Sequence, residues 1–489
     1  MIEAFNPEPL RPLTRGNCRL GSLSRGEIAG LFVLTTLAAA ARFWRLGHPA
    51  ALVFDEHTVI MQVGAYLRGW PFFLSLQPPL AKLLVAASIG LFGNGPYARR
   101  LPSALIGTVL VPANYLLTRY IFLSAFAASL AGTLTLCEGL LLIGSRVAMI
   151  NIFAIAFSAV AYLALFCFRH TTKLTSRRRL ILAIGVLLGC EIATKAGISE
   201  VTAILVTGFL LVTVWNERIT DGNRRAFVCE ASGILAMIGG LSAAIYVAAF
   251  LPYYHFGWWA GISDLIRYQH WIVAGNLALP HTSLYSSPAW SWPLMLRAFP
   301  YWSELNHDGW TTVVWCGGNP AIWWEILPAL IVSGARAIKQ RSISWSFPPI
   351  AYCGYMLIFL PLPRYLFIYD YMPMCEAGIL AIAGGLTLSW IGEADSWEQI
   401  LLLMPSLAVL VCALHLLIGI AVFAGILLIW SVLYRQKKLY AGRFVCASMT
   451  LLIAVVFAYF YPLWSSLPLS HSAYMQRMWF RGPGLANWM

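Results

Sequence analysis

Thirteen apolar stretches govern what this chain can fold into. They are residues 27–43, 101–121, 124–143, 151–168, 180–195, 198–215, 229–251, 321–338, 346–361, 372–391, 399–412, 414–434 and 444–463. A bilayer's hydrocarbon layer is crossed by a helix of about 20 apolar residues. In lipid each backbone N–H and C=O must be paired within its own segment, so every stretch is read as an α-helix. A single residue separates 399–412 from 414–434, so the expectation is an all-α polytopic membrane protein with 11–13 transmembrane helices. Composition agrees: 60% of the 489 residues are hydrophobic and 11% are charged. A soluble chain of that length would instead make about two or three domains.

Charge then orients the bundle. The net charge is +13, and most of it falls in four loop clusters: Lys173 with Arg177, Arg178 and Arg179; Arg218 with Arg224 and Arg225; Arg336 with Lys339 and Arg341; and Arg435 with Lys437, Lys438 and Arg443. With the N-terminus inside, all four land on the cytoplasmic face, as the positive-inside rule requires. The loop 392–398, bearing Glu393, Asp395 and Glu398, falls inside too, but acids count little in that rule. No basic patch interleaves with aromatics on a soluble domain, which excludes nucleic acid as a partner. The N-terminus carries Arg11, Arg15, Arg19 and Arg25 before the first apolar run and shows no convincing cleavage site, so that run is read as a retained span. The ten cysteines show no CxxC spacing, hence neither a disulfide framework nor a zinc site.

Two long loops, 44–100 and 252–320, and the C-terminal tail are left for the outer face. Both loops are rich in Trp and Tyr, which favour headgroup level. Within them, 78–93 and 259–277 read as interfacial helices, the first started by proline, the second carrying Asp264, Arg267, His270 and Asn276. The expected organisation is a transmembrane catalytic module over 1–434, then a last transmembrane helix and outer-facing tail over 435–489, with no separate soluble domain.

Acids and bases converge on that outer side. Asp55 and Glu56 open the first loop, and Lys82 and Arg100 follow. Glu138 lies near the outer end of the third stretch, Arg146 and Asn151 bracket the turn into the fourth, Lys195 ends the fifth, and Arg364 and Asp370 flank the tenth. Acids beside a bilayer cost several kcal/mol when lipid-facing, so they face water, a partner or a reaction centre. Such a set suits transfer of a sugar from a lipid phosphate. A carboxylate accepts the proton of an attacking hydroxyl. Arginines and lysines meet the charge growing on the leaving phosphate.

Nine segments in order resemble the protein O-mannosyltransferase family, of the glycosyltransferase C superfold. They are Phe54–Glu56, Gln77–Lys82, the run around Arg100, Ser145–Phe153, Ala193–Gly197, Tyr285–Leu294, Gly318–Trp324, Pro363–Pro373 and Tyr461–Ser470. The absence of a soluble lumenal domain is similar to the bacterial branch. The resemblance implies a polyprenyl-phosphate-mannose donor, a Ser or Thr acceptor on a translocated protein, and inversion at the sugar carbon. It implies a multi-pass cell-membrane enzyme with its site on the outer face. Asp55 matches the family's key acid and Glu56 its partner, so these two are the expected catalytic residues. Arg100, Lys195, Arg364 and Lys82 are expected to bind the donor phosphate, with Glu138, Arg146, Asn151, Asp370 and Trp292 in support. The sequence departs from the family pattern where Gln77 replaces a histidine, Ala81 a glycine, Asn151 an acid and Asp370 a histidine; Glu138 stands where the family has an aspartate.

Simpler readings stand beside these. Asp55 and Glu56 could be an acidic pair at a helix start. Lys82 could snorkel to headgroups. Glu138 could be an intramembrane acid paired with Arg146. Trp290–Trp302 could be an interface belt. No metal is assigned; a divalent cation joining Glu56 to His270 or His281 stays open, as does contact with secretion machinery. The rival functions are sugar transfer to a lipid or glycan, resembling the aminoarabinose transferases; a transporter of lipid-linked sugars; and an inactive paralogue.

Overall fold

The computed structural model describes residues 23–70, 75–220, 224–305, 309–481 and 486–488. Each of the thirteen apolar stretches lies on helix. In chain order the helices are α1 Arg25–Phe43, α2 Glu56–Arg68, α3 Leu80–Phe92, α4 Pro96–Phe122, α5 Ala125–Cys137, α6 Gly139–Gly144, α7 Asn151–Arg169, α8 Leu174–Ile192, α9 Ile198–Thr220 and α10 Arg224–Ala249. There follow α11 Leu251–His255, α12 Ile262–Leu277, α13 Pro320–Trp323, α14 Ile326–Gln340, α15 Ile343–Phe359, α16 Met372–Ile391, α17 Ser396–Leu414, α18 Leu416–Gln436, α19 Lys438–Ser465 and α20 His471–Arg477. Ten helical stretches among the described residues are long and apolar enough to cross a membrane. Three of the thirteen fall short singly: the third is split into α5 and α6, α8 opens on arginines, and α15 has 17 residues.

Local signals account for the ends. Before the first apolar run, Ser24 accepts from the Glu27 N–H (3.2 Å) and Glu27 accepts from the Ser24 N–H (2.8 Å), a reciprocal cap that starts α1. The two segments read as interfacial become α3 and α12, with Pro79 capping α3. α16 is the hub: every residue from Met372 to Ser389 is buried, against α5, α14, α15 and α19. Small residues permit these approaches. A Cβ on Gly442 of α19 would come 2.0 Å from the Ser389 carbonyl oxygen of α16.

Ion pairs clasp one end of the bundle. Arg336 of α14 holds Glu398 of α17 (Nε to Oε1, 2.6 Å), Lys438 of α19 holds Asp395 (3.0 Å), and Arg218 of α9 holds Glu230 of α10 (2.7 Å). Arg177 of α8 pairs with Glu217 of α9.

The all-α expectation holds, with one small sheet beside the helices. A three-stranded antiparallel sheet in order β1–β2–β3 joins β1 (Phe299–Leu305) and β2 (Trp310–Cys316) of the long loop to β3 (Leu469–Ser470) of the tail. The run WTTVVWC is β-branched and aromatic, which suits a pleated, half-buried surface.

Candidate active site

Four helix termini meet at the end of the bundle away from the ionic clasps. Asp55 stands at the start of α2, Asn151 opens α7, Lys195 follows α8, and Asp370 precedes α16. All four line one cavity of about 300 Å³, with Lys82, Arg364, Tyr369, Gln62 and Gln77 also in its walls.

The approach to Asp55 is strained. Phe54 sits in the left-handed region at φ +42°, at a cost of about 1–2 kcal/mol. Its ring is held against Phe299 and Tyr301 (centroids 5.1 Å from each) and Phe367 (5.4 Å). Aromatic pairs of this kind are worth about 0.5–1.5 kcal/mol each beyond their burial, enough to offset the strain. Asp55 does not cap α2 with its side chain; its Oδ2 accepts from the Tyr369 hydroxyl at 3.1 Å. Burial raises its pKa above the ordinary carboxylate value, the Tyr369 hydrogen bond opposes that, and Asp370 and Lys195 pull in opposite directions.

Across the cavity, Lys195 Nζ donates to Asp370 Oδ1 (2.7 Å) and to Asn151 Oδ1 (3.1 Å). Lys82 Nζ donates to Ser75 Oγ and to the Gln77 carbonyl (2.7 Å), and burial pushes its pKa down to about 7. It faces the cavity and does not snorkel. Arg364 is half-buried and spends one hydrogen bond on the Tyr365 carbonyl (3.3 Å).

Five of the predicted residues lie elsewhere. Glu56 is buried and makes a two-point pair with Arg100 (2.8 and 2.9 Å); it also accepts from the Val53 and Ala148 N–H groups. Arg100 gives its remaining donors to the carbonyls of Leu46, Pro49 and Ala51, so all five are engaged and none faces the cavity. Both hold the loop that carries Asp55. Arg146 donates to the carbonyls of Ala41, Arg42 and Trp44, capping the end of α1. Glu138 is not paired with Arg146: it breaks the third stretch, accepting from the Leu140 and Asn319 N–H groups. Trp292 is fully buried, its indole N–H on Ser287 Oγ (3.0 Å).

Tyr369, Gln62 and Ser75 were not singled out from sequence. Tyr369 had a signal, since it lies inside the quoted Pro363–Pro373 segment beside Asp370. Gln62 lies on α2 one turn and more beyond Asp55, within an ordinary amphipathic run, and had none. Among the described residues no group of three His, Cys, Asp or Glu side chains gathers into a metal site.

The fold and the end-on polar cavity define a polytopic membrane protein of the glycosyltransferase C type. Over 95% of its length the chain superposes on a subunit of the Saccharomyces cerevisiae Pmt1–Pmt2 protein O-mannosyltransferase complex (TM-score 0.75, 14% identity, 93% of that chain covered). It superposes less closely on ArnT of Cupriavidus metallidurans (TM-score 0.52, 16% identity, 89% and 78% covered). Two family models match: dolichyl-phosphate-mannose-protein mannosyltransferase over residues 32–256, and the C-terminal four-helix region of protein O-mannosyltransferase over 261–482. The chain belongs to the protein O-mannosyltransferase family. Similar curated proteins are the polyprenol-phosphate-mannose–protein mannosyltransferases of Mycobacterium tuberculosis (24% identical, 79% of this chain and 86% of that one) and Mycolicibacterium smegmatis (23%, 91% of each).

Proposed function

We propose that this chain moves mannose from polyprenyl-phosphate-mannose to Ser or Thr hydroxyls of proteins, at a site on the outer face of the cell membrane. Family membership and the mycobacterial relatives support the reaction. The observation that carries the site is the cavity itself, where a half-buried carboxylate, Asp55, shares the walls with the cations Lys195, Arg364 and Lys82. In this reading the acceptor oxygen attacks the anomeric carbon as Asp55 takes its proton. The bond from that carbon to the phosphate oxygen breaks, its electron pair leaves with the phosphate, and Lys195, Arg364 and Lys82 receive the charge. One displacement inverts the sugar carbon. Glu56 and Arg100 act as positioning residues for the loop, not as groups that touch substrate.

Asn151 and Asp370, where the resemblance leads one to expect an acid and a histidine, both reach Lys195 Nζ. The lysine keeps a carboxylate partner, which argues against an inactive paralogue.

The test is turnover of the purified protein with polyprenyl-phosphate-mannose and a Ser/Thr peptide. Replacing Asp55 with Asn should lower kcat by roughly 10²–10⁴. Unchanged turnover would remove Asp55 as the base. Transfer to lipid but not to peptide would place the chain with the lipid-directed transferases.

A further inference from the structure

A second cavity, of about 370 Å³, adjoins the first and shares Arg364 and Tyr365 with it. Its walls come from the loop after α12, the short turn Ala289–Leu294 and the segment leaving α15 at Phe359. Two guanidinium groups, Arg297 and Arg364, line it, and no Asp or Glu does. Arg297 donates from Nη1 to the Ser286 carbonyl (3.1 Å) as Arg364 does to Tyr365. Among the described residues neither arginine takes part in an ion pair, and their other donors have no protein partner. Two like charges in one cavity without a carboxylate repel, and an anion bridging them would turn that repulsion into charge-assisted hydrogen bonds.

Beyond the arginines the wall is mixed: His281, Thr282, Ser286 and Ser287 are polar, and the remainder is apolar. Phe359 and Leu362 line it, with Leu360 and Trp290 half exposed (50% and 54%). α15 is one of the thirteen apolar stretches read as spans, and on that reading a cavity at its terminus sits at headgroup depth, where a lipid presents phosphate above and hydrocarbon below.

We propose that this second cavity is a lipid-phosphate site: Arg297 and Arg364 hold the phosphate, and Phe359, Leu360 and Leu362 meet the first carbons of the tail. Because Arg364 belongs to both cavities, the occupant it fits is the polyprenyl phosphate released by sugar transfer, handed from one cavity to the next. This rests on the transferase reading above. The site would clear the catalytic cavity for the next donor while keeping the spent carrier bound.

The experiment uses the full chain in phosphatidylcholine nanodiscs with a short-chain polyprenyl monophosphate as probe. Native mass spectrometry counts the bound lipid, and steady-state assays measure inhibition by it. Wild type should bind two per chain and Arg297→Gln one, with inhibition by the carrier no weaker than in wild type, because the catalytic cavity is intact and no longer cleared. Arg297→Lys, which restores the charge, should recover part of the second binding. Equal lipid counts in wild type and Arg297→Gln, with equal melting temperatures, overturn the proposal. Phosphatidylglycerol binding that depends on Arg297, without polyprenyl phosphate binding, would overturn the hand-over and leave an ordinary headgroup site. Inorganic phosphate binding as tightly as the lipid would overturn the role of the apolar wall. Lys195→Met separates the two readings. It should abolish transfer and leave the Arg297-dependent lipid in place, whereas continued transfer would sink the catalytic assignment whatever the lipid count.

Discussion

Two buried cations show how differently one residue class can be used. Lys82 faces the cavity, and burial brings its pKa down to about 7. A phosphate favours the protonated form, so above that pH donor binding must take up a proton. The donor KM should therefore rise with pH, by up to roughly tenfold per unit, between about pH 7 and the lysine's pKa in the complex. Lys82→Met should raise KM and flatten that slope; steady-state assays from about pH 6 to pH 9 read both. Arg100 is buried too, but each of its donors is engaged by Glu56 or by loop carbonyls. Removing one partner of such a pair costs about 3–5 kcal/mol because the other charge is left buried and unpaired. Arg100→Ala should lower the melting temperature in detergent sharply. A variant of normal stability with only a raised donor KM would return Arg100 to the phosphate.

Among the elements, α16 decides whether the site exists, since it carries Asp370 and Tyr369 at its entry and is buried along its length. Its contact with α19 is backbone on backbone at Gly442 and Ser389. A carbonyl oxygen cannot swing aside as a side chain can. Gly442→Leu should therefore cost about 1–3 kcal/mol or more by overpacking, read as a fall in melting temperature. A neutral result would show that the two helices slide freely. α5 and α6 teach a related point: an apolar run of 20 residues need not be one helix, because Glu138 diverts the backbone to hold Asn319.

For the whole molecule, the ionic clasps and the cavity occupy opposite ends of the same helices. α8 has its arginines at one end and Lys195 at the other; α16 runs from Asp370 to the loop of Glu393. The proposed outer position of the cavity rests on the positive-inside reading of the loops. In a background lacking native cysteines, His57→Cys, exposed beside Asp55, should react with a membrane-impermeant thiol reagent on intact cells. Lys339→Cys, at the clasped end, should react only after permeabilisation. The reverse pattern would invert the topology and with it the proposed outer site. The sequence by itself determined the helices, because hydrocarbon permits no unpaired backbone; their proposed orientation rests on loop charge, which is countable without coordinates. It also named Asp55, Lys195, Arg364 and Asp370. Which polar residues face the cavity was decided by the tertiary structure alone. Asp55 and Glu56 are adjacent in the chain, yet one meets Tyr369 in the cavity wall and the other is consumed by Arg100 and two backbone amides. A side chain's free hydrogen-bonding capacity is what remains after its neighbours from distant segments have taken their share, and those neighbours are assembled only by packing.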